Sequence, residues 1–218
     1  MDYKAIIFDL DGTLIDSMQL WRQVDHDFLT RRGIEVPADL FDQIPLGNNF
    51  IGTAEYFKER FGLPDSIESI MEEWNAMLRG HYENDVELKP GAGELLETLA
   101  QKGVPIGLGT SNSLELSSKV LAQHGIWHYF NSVVTGDMPL KGKPFPDIYL
   151  KVAQELNLEP SRCLVVEDTL TGVQAAKAAG MTVVAIHDED SIPFATQIRD
   201  LADAFVLNHY ELSELLKT

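Results

Sequence analysis

The sequence predicts an α/β protein: a doubly wound parallel sheet, a Rossmann-like core, with an α-helical segment inserted after its first strand. Three observations predict it. From residue 90 onward short apolar runs alternate with helix-spaced patterns, the run Leu164-Val165-Val166 is apolar without alternation, and residues 17–86 hold no convincing strand. Strands alternating with helices imply a parallel sheet covered on both faces, and an unbroken apolar strand implies burial on both of its sides.

The elements follow in chain order. Ala5 to Leu10 reads as the first strand. Trp21, Val24 and Phe28 then lie at helical spacing, as do Ile67, Ile70, Met71, Trp74 and Leu78. Residues 17–86 are therefore expected as a helical cap, inserted into a core of residues 1–16 and 87–218, with Lys89-Pro90-Gly91 marking the return. Leu95, Leu96 and Leu99 give a helix from Gly93 to Lys102 that stops at Gly103, and Ile106-Gly107-Leu108-Gly109 reads as a strand. Asn112 with Glu115 three residues on resembles a capping box, opening a helix that closes at Gly125. A strand at Ser132–Thr135 and a helix over Asp147–Asn157 come next. After Leu164-Val165-Val166 a helix is expected from about Thr169 to Gly180, then strands at Thr182–Ile186 and Ala204–Leu207.

Composition narrows the function. The 218 residues carry 17 Lys+Arg against 34 Asp+Glu, a formal charge of −17 that repels polyanions. A nucleic-acid binder needs the opposite sign, so no nucleic-acid partner is expected. No apolar run approaches the ~20 residues that span a bilayer, so no membrane partner is expected either. One cysteine, Cys163, excludes an internal disulfide, and Met1-Asp2-Tyr3-Lys4 ahead of Ala5-Ile6-Ile7-Phe8 does not resemble a signal peptide. A cytoplasmic monomer is the expectation.

Four stretches carry chemistry. In Phe8-Asp9-Leu10-Asp11-Gly12-Thr13 the alternation of a strand puts Asp9 and Asp11 on one side. Two carboxylates at a buried strand's C-terminal end repel and lose hydration unless a cation or shared proton compensates. They would also serve to cap backbone N–H groups. Glu167-Asp168 ends the buried run from Cys163, where Asp168 taken alone reads as an N-cap of the next helix. Acidic groups at the ends of two parallel strands are the ingredients of a Mg²⁺ site, since Mg²⁺ favours one or two carboxylates, waters and a substrate phosphate. Gly109-Thr110-Ser111-Asn112 joins a strand to a helix with hydroxyls, an amide and free helix N–H groups, which suits an anion. It is not a dinucleotide loop, because Asn112 stands where the last glycine of G-x-G-x-x-G belongs. In Gly142-Lys143-Pro144-Phe145-Pro146-Asp147 two prolines stiffen the backbone that presents Lys143.

In order and spacing these four stretches resemble the motifs of the haloacid dehalogenase superfamily, in its β-phosphoglucomutase-like branch. Asp9-Leu10-Asp11-Gly12-Thr13 is similar to the first motif, Thr110 to the second, Lys143 to the third and Glu167-Asp168 to the fourth. The resemblance implies a Mg²⁺-dependent phosphatase of a small phosphorylated metabolite, such as a sugar phosphate. It implies Asp9 as nucleophile and Asp11 as general acid/base, with Thr110, Ser111, Asn112 and Lys143 holding the phosphoryl group. Mg²⁺ would be bound by the Asp9 and Asp168 carboxylates and the Asp11 carbonyl, with Glu167 orienting its water. Trp21 and the segment Gly47-Asn48-Asn49-Phe50 would face the leaving group and set specificity.

Two other functions compete. A phosphosugar mutase uses the same intermediate but grips a second phosphate. In related mutases a histidine and an arginine stand where this chain has Trp21 and, near the second position, Phe50; Lys58, Arg60 or Arg79 could replace them. A catalytically silent binding protein is the other, which the presence of Asp9, Asp11, Lys143 and Asp168 disfavours. His124 and His128 are read as loop or surface residues, and Cys163 as core.

Overall fold

The computed structural model describes residues 3–40 and 49–217. Six strands form one all-parallel sheet: β1 (Ala5–Phe8), β2 (Ile106–Gly109), β3 (Phe130–Val134), β4 (Cys163–Glu167), β5 (Thr182–Ile186) and β6 (Ala204–Val206). Their order is β3-β2-β1-β4-β5-β6, so the chain reverses its winding between β1 and β4. Ile6 is in register with Ile106 on one side and Leu164 on the other. A crevice at the C-terminal ends of the strands opens at such a reversal, which is where open α/β sheets bind ligands.

Side chains alternate across this sheet as a two-sided core requires. Ile6, Phe8, Leu108, Leu164 and Val166 pack into one layer, while Ala5, Ile7, Val165, Val183 and Ala185 pack into the other. Cys163 lies in the second layer, buried. The covering helices are α4 (Ala92–Gln101), α5 (Leu114–Gln123), α6 (Asp147–Glu155), α7 (Leu170–Ala178), α8 (Ala195–Leu201) and α9 (His209–Leu215).

Before the second strand the chain forms α1 (Met18–Thr30), α2 (Phe50–Phe61) and α3 (Ile67–Asn84). An aromatic cluster joins them, with Trp74 at its centre: ring centroids lie 5.5 Å from Phe28, 5.1 Å from Phe57 and 5.8 Å from Phe50. Aromatic pairs at these separations add to the area they bury. The helical spacing read from Ile67 to Leu78 extends one turn further to Tyr82, which is fully buried. Among the described residues no helix is long and apolar enough to cross a membrane.

Two helix starts differ from expectation. The helix after β2 is capped by Ser113, whose Oγ accepts from the Leu116 amide at 3.2 Å, and not by Asn112. The Asn112 side chain is engaged elsewhere: Oδ1 accepts from the Ser113 amide at 2.7 Å and Nδ2 donates to Asp11 Oδ2 at 2.9 Å. The helix after β4 is capped by Thr169, whose Oγ1 accepts from Gly172 at 3.1 Å, so Asp168 is spared that task.

Candidate active site

Asp9 immediately follows β1, and its amide continues the sheet by donating to the Val166 carbonyl at 3.1 Å. Its side chain is buried, and Oδ1 accepts from the Lys143 ammonium at 2.6 Å. Lys143 donates as well to Glu167 and lies 5.1 Å from the ring of Tyr149. Glu167 is saturated: Oε1 accepts from Lys143 and Tyr149, and Oε2 from the amide and hydroxyl of Thr169 at 2.9 and 3.0 Å. A Cβ at Gly172 would overlap that carboxylate, which is why the helix turn passing it has no side chain there.

Asp168 is almost fully buried, with Oδ1 accepting from the Thr13 hydroxyl at 2.7 Å. Gly12, at φ +80°, passes so close that any Cβ would overlap the Asp168 carboxylate. Asp9, Glu167 and Asp168 each present an oxygen within 4.8 Å of the others. Among the described residues Asp9 Oδ2 and Asp168 Oδ2 accept no hydrogen bond, and neither does the Asp11 carbonyl. Burial, and after it the carboxylates of Glu167 and Asp9, push Asp168 well above the ordinary range. Burial likewise raises Asp9 to about 7, because Glu167 and Asp11 add to it and Lys143 only partly offsets it. Burial disfavours the Lys143 charge, but Asp9 and Glu167 outweigh it and hold the ammonium well above its usual pKa. This carboxylate cluster, short of positive charge and with oxygens to spare, fits a hard divalent cation.

Asp11 lies past the end of β1, in a loop that leaves Asp9 and Asp11 with different neighbours. Oδ1 accepts from Ser17 Oγ at 2.6 Å, Trp21 Nε1 at 3.3 Å and the Tyr82 hydroxyl, and Oδ2 accepts from Asn112 Nδ2 at 2.9 Å. Asn112 is therefore committed on both sides of its residue, its amide to Thr110 and its side chain to Asp11. Of the loop groups expected to meet an anion, the Asn112 amide is not free, whereas the Ser111 amide has no acceptor among the described residues.

A cavity of about 300 Å³ joins these groups, with Asp9, Asp11, Thr110, Ser111, Asn112 and Lys143 in the wall at the sheet edge. The opposite wall includes Trp21, Asp25, Asn49, Phe50, Thr53 and Trp74. Asp168 does not line it. Asn49 caps α2 and ties it to the sheet-edge loops by donating to the Leu140 carbonyl at 2.8 Å. Gly47 and Asn48 lie outside the described residues. His124 contacts the Val86 carbonyl at 2.8 Å while His128 packs on Tyr129, so the two do not form a pair. The sequence does not single out Tyr82, Ser17 or Tyr149, and it offers Thr13 only as part of the first motif; the helical repeat through Leu78 is the one signal pointing to Tyr82.

Fold and site together define a hydrolase of phosphoric monoesters. The chain belongs to the haloacid dehalogenase-like hydrolase family, whose model matches residues 3–180. It is 34% identical over 208 residues to a protein from Drosophila melanogaster described as a probable pseudouridine-5'-phosphatase, covering 90% of this chain and 89% of that one. It is 30% identical over 178 residues to a phosphorylated carbohydrates phosphatase from Thermotoga maritima, with 82% of each covered. The fold is shared with a β-phosphoglucomutase from Clostridium difficile, at a TM-score of 0.78 and 22% identity over 96% of this chain and 93% of that one.

Proposed function

We propose that the protein is a Mg²⁺-dependent phosphatase that hydrolyses a small phosphorylated metabolite through an aspartyl-phosphate on Asp9. The observation that carries this reading is the meeting, at one sheet edge, of Asp9, Asp11, Thr110 and Lys143 around one cavity, with Asp168 beneath. Residues 17–86 act as the cap of a core made of 1–16 and 87–218.

Asp9 attacks phosphorus through a carboxylate oxygen, and the bond to the leaving alkoxide breaks. A carboxylate needs no deprotonation for this, and the covalent intermediate divides one hard displacement into two. Asp11, protonated, gives its proton to the departing oxygen. As a carboxylate it then takes a proton from the water that attacks the intermediate, and Asp9 is released. The donors on Asp11 Oδ1 fix the side chain's direction and leave Oδ2, with Asn112 alone, to handle the proton. Lys143 and the Thr110 hydroxyl stabilise charge on the phosphoryl oxygens. Mg²⁺ would be held by Asp9, Asp168 and the Asp11 carbonyl; when bound it offsets repulsion between the attacking carboxylate and the phosphate. Glu167, saturated by its four donors, positions Lys143 and the loop after β4. The proposed enzyme works as a monomer in the cytoplasm, and its one buried cysteine suits a reducing compartment.

Hydrolysis is favoured over phosphosugar transfer by the charge on the cap side. Lys143 is the one cation in the cavity wall among the described residues, and residues 41–48 contain no Lys, Arg or His. The cations that could have gripped a second phosphate are engaged elsewhere: Lys58 with the Leu63 carbonyl at 3.1 Å, Arg60 with Asp39 at 2.7 Å, and Arg79 with Glu72 at 3.1 Å. A phosphate-release screen over phosphorylated metabolites, with and without Mg²⁺, tests the reading. Release in Mg²⁺ only is expected. Faster formation of glucose 6-phosphate than of free phosphate from β-glucose 1-phosphate, given a trace of the bisphosphate, would overturn it in favour of the mutase.

A further inference from the structure

Asp25 stands on α1, on the face that also carries Met18 and Trp21, and all three line the cavity. Only 8% of Asp25 is exposed. The other carboxylates around the site have donors: Lys143 for Asp9, four groups for Asp11, four for Glu167 and Thr13 for Asp168. Asp25 has none, because no hydrogen bond or ion pair among the described residues reaches it. Burial alone pushes its carboxyl up to about 7, with nothing nearby to offset the cost.

An unpaired carboxyl in a desolvated wall is expensive, and such groups persist where a ligand satisfies them. The surrounding wall is mostly aromatic, built of Trp21, Phe50 and Trp74. Thr53 uses its hydroxyl hydrogen on the Asn49 carbonyl at 2.9 Å, so it leaves Asp25 without a donor. Apolar surface with a few placed polar groups is the ordinary make-up of a small-molecule site, where the polar groups fix orientation and choice. A carboxylate accepts hydrogen bonds and, when ionised, donates none. Against an anion it must either endure repulsion or take up a proton.

Resting on the phosphatase reading above, we infer that Asp25 selects the leaving group. It accepts hydrogen bonds from the hydroxyls of an uncharged, polyol-like alcohol and rejects an ester whose far end is a carboxylate or a second phosphate. The cavity thus has a wall with Lys143 and Thr110 for the phosphoryl group and a wall with Asp25 for the alcohol.

The test compares wild type, Asp25→Asn and Asp25→Ala on sorbitol 6-phosphate and 6-phosphogluconate. These share a six-carbon chain phosphorylated at one end, and differ at the other in bearing a hydroxymethyl group or a carboxylate. Wild type is expected to favour sorbitol 6-phosphate in kcat/KM. Asp25→Ala is expected to lower kcat/KM for that ester by about 10- to 100-fold, mostly through KM, as loss of a charged hydrogen bond implies. Asp25→Asn keeps an acceptor oxygen without the charge, so the preference narrows because 6-phosphogluconate improves. If Asp25→Ala does not fold by circular dichroism, the Asn variant decides alone. An equal ratio of the two esters in wild type and Asp25→Asn, or a wild-type preference for 6-phosphogluconate, would overturn the inference while the phosphatase stands. Turnover of para-nitrophenyl phosphate but of neither chain ester does the same. No phosphate release by wild type from any of the three would remove both.

Discussion

Lys143 reaches Asp9 across 134 residues of chain, its Nζ 2.6 Å from the carboxylate that stands at the end of the first strand. The pair is buried, so it makes Asp9 an acceptor fixed in one direction, with Oδ1 tethered and Oδ2 left open. Desolvation costs such a pair much of its Coulombic gain, so its value lies in orientation more than in stability.

Asp9→Asn should lower turnover by more than about 1,000-fold, because an amide cannot act as the nucleophile of a covalent displacement. Mass spectrometry of acid-quenched enzyme should find a phosphoryl group on the Asp9 peptide of wild type and none on the variant. Label on Ser111 or a histidine would refute the assignment.

Chelation should abolish turnover, and added Mg²⁺ should raise the melting temperature of wild type by binding the native state alone. Asp168→Asn removes a carboxylate whose Oδ2 is free of protein donors, so the stabilisation by Mg²⁺ should shrink and the metal concentration for half-maximal rate should rise. Differential scanning calorimetry across a Mg²⁺ titration measures the first, and initial rates across the same titration measure the second. Equal melting shifts in the two proteins would place the ion elsewhere.

Tyr82→Phe should slow kcat by roughly tenfold with little change in KM, since the hydroxyl directs Asp11 and stands away from the phosphate. Tyr82 donates to Asp11 and accepts from Trp21 Nε1 at 2.9 Å and Asn112 Nδ2 at 3.1 Å, so it ties three elements to one carboxylate. Steady-state kinetics on the best ester of the screen distinguishes this from a binding role, which would move KM.

Asp25→Asn should stabilise the fold, and more so in base. The wild-type carboxyl is raised by burial from 3.8 to about 7, so between those values the folded protein holds more protons than the unfolded one. Stability therefore falls as pH rises through that window, by on the order of 4 kcal/mol in full. The Asn variant lacks this slope. Urea melts at pH 8 should show the variant ahead of wild type, with the gap shrinking towards pH 4; a gap independent of pH would show that Asp25 is not the titrating group.

Much of this was legible in the sequence because the informative groups sit next to strand ends. Asp9, Thr110 and Glu167-Asp168 each follow a short apolar run, so the chain's own periodicity announces them and the parallel sheet gathers them. The spacing of Asn112 to Glu115 suggests a cap, but spacing cannot tell which of Asn112 and Ser113 turns towards the helix. That is settled by contacts between residues far apart in the chain: Asn112 meets Asp11 and Tyr82, and Ser113 Oγ donates to Asn75 Oδ1 at 2.8 Å. Asp25 was invisible for the same reason. A single acidic residue in an amphipathic helix reads as solvated until the opposite wall is present.

The place of β1 in the sheet has a consequence for biosynthesis. Ala5–Phe8 leaves the ribosome well before its neighbours, which around Ile106 and Leu164 emerge about 100 and about 160 residues later. At ordinary rates of translation the wait for the second neighbour is roughly 8 to 30 seconds. Until β2 is made both edges of this apolar strand are unpaired, and until β4 is made one edge still is; the helices described within residues 17–86 are the first partners made that could shelter it. The strand that aims the nucleophile is thus made long before it is enclosed, so the catalytic end of the sheet takes shape only once β4 has followed it.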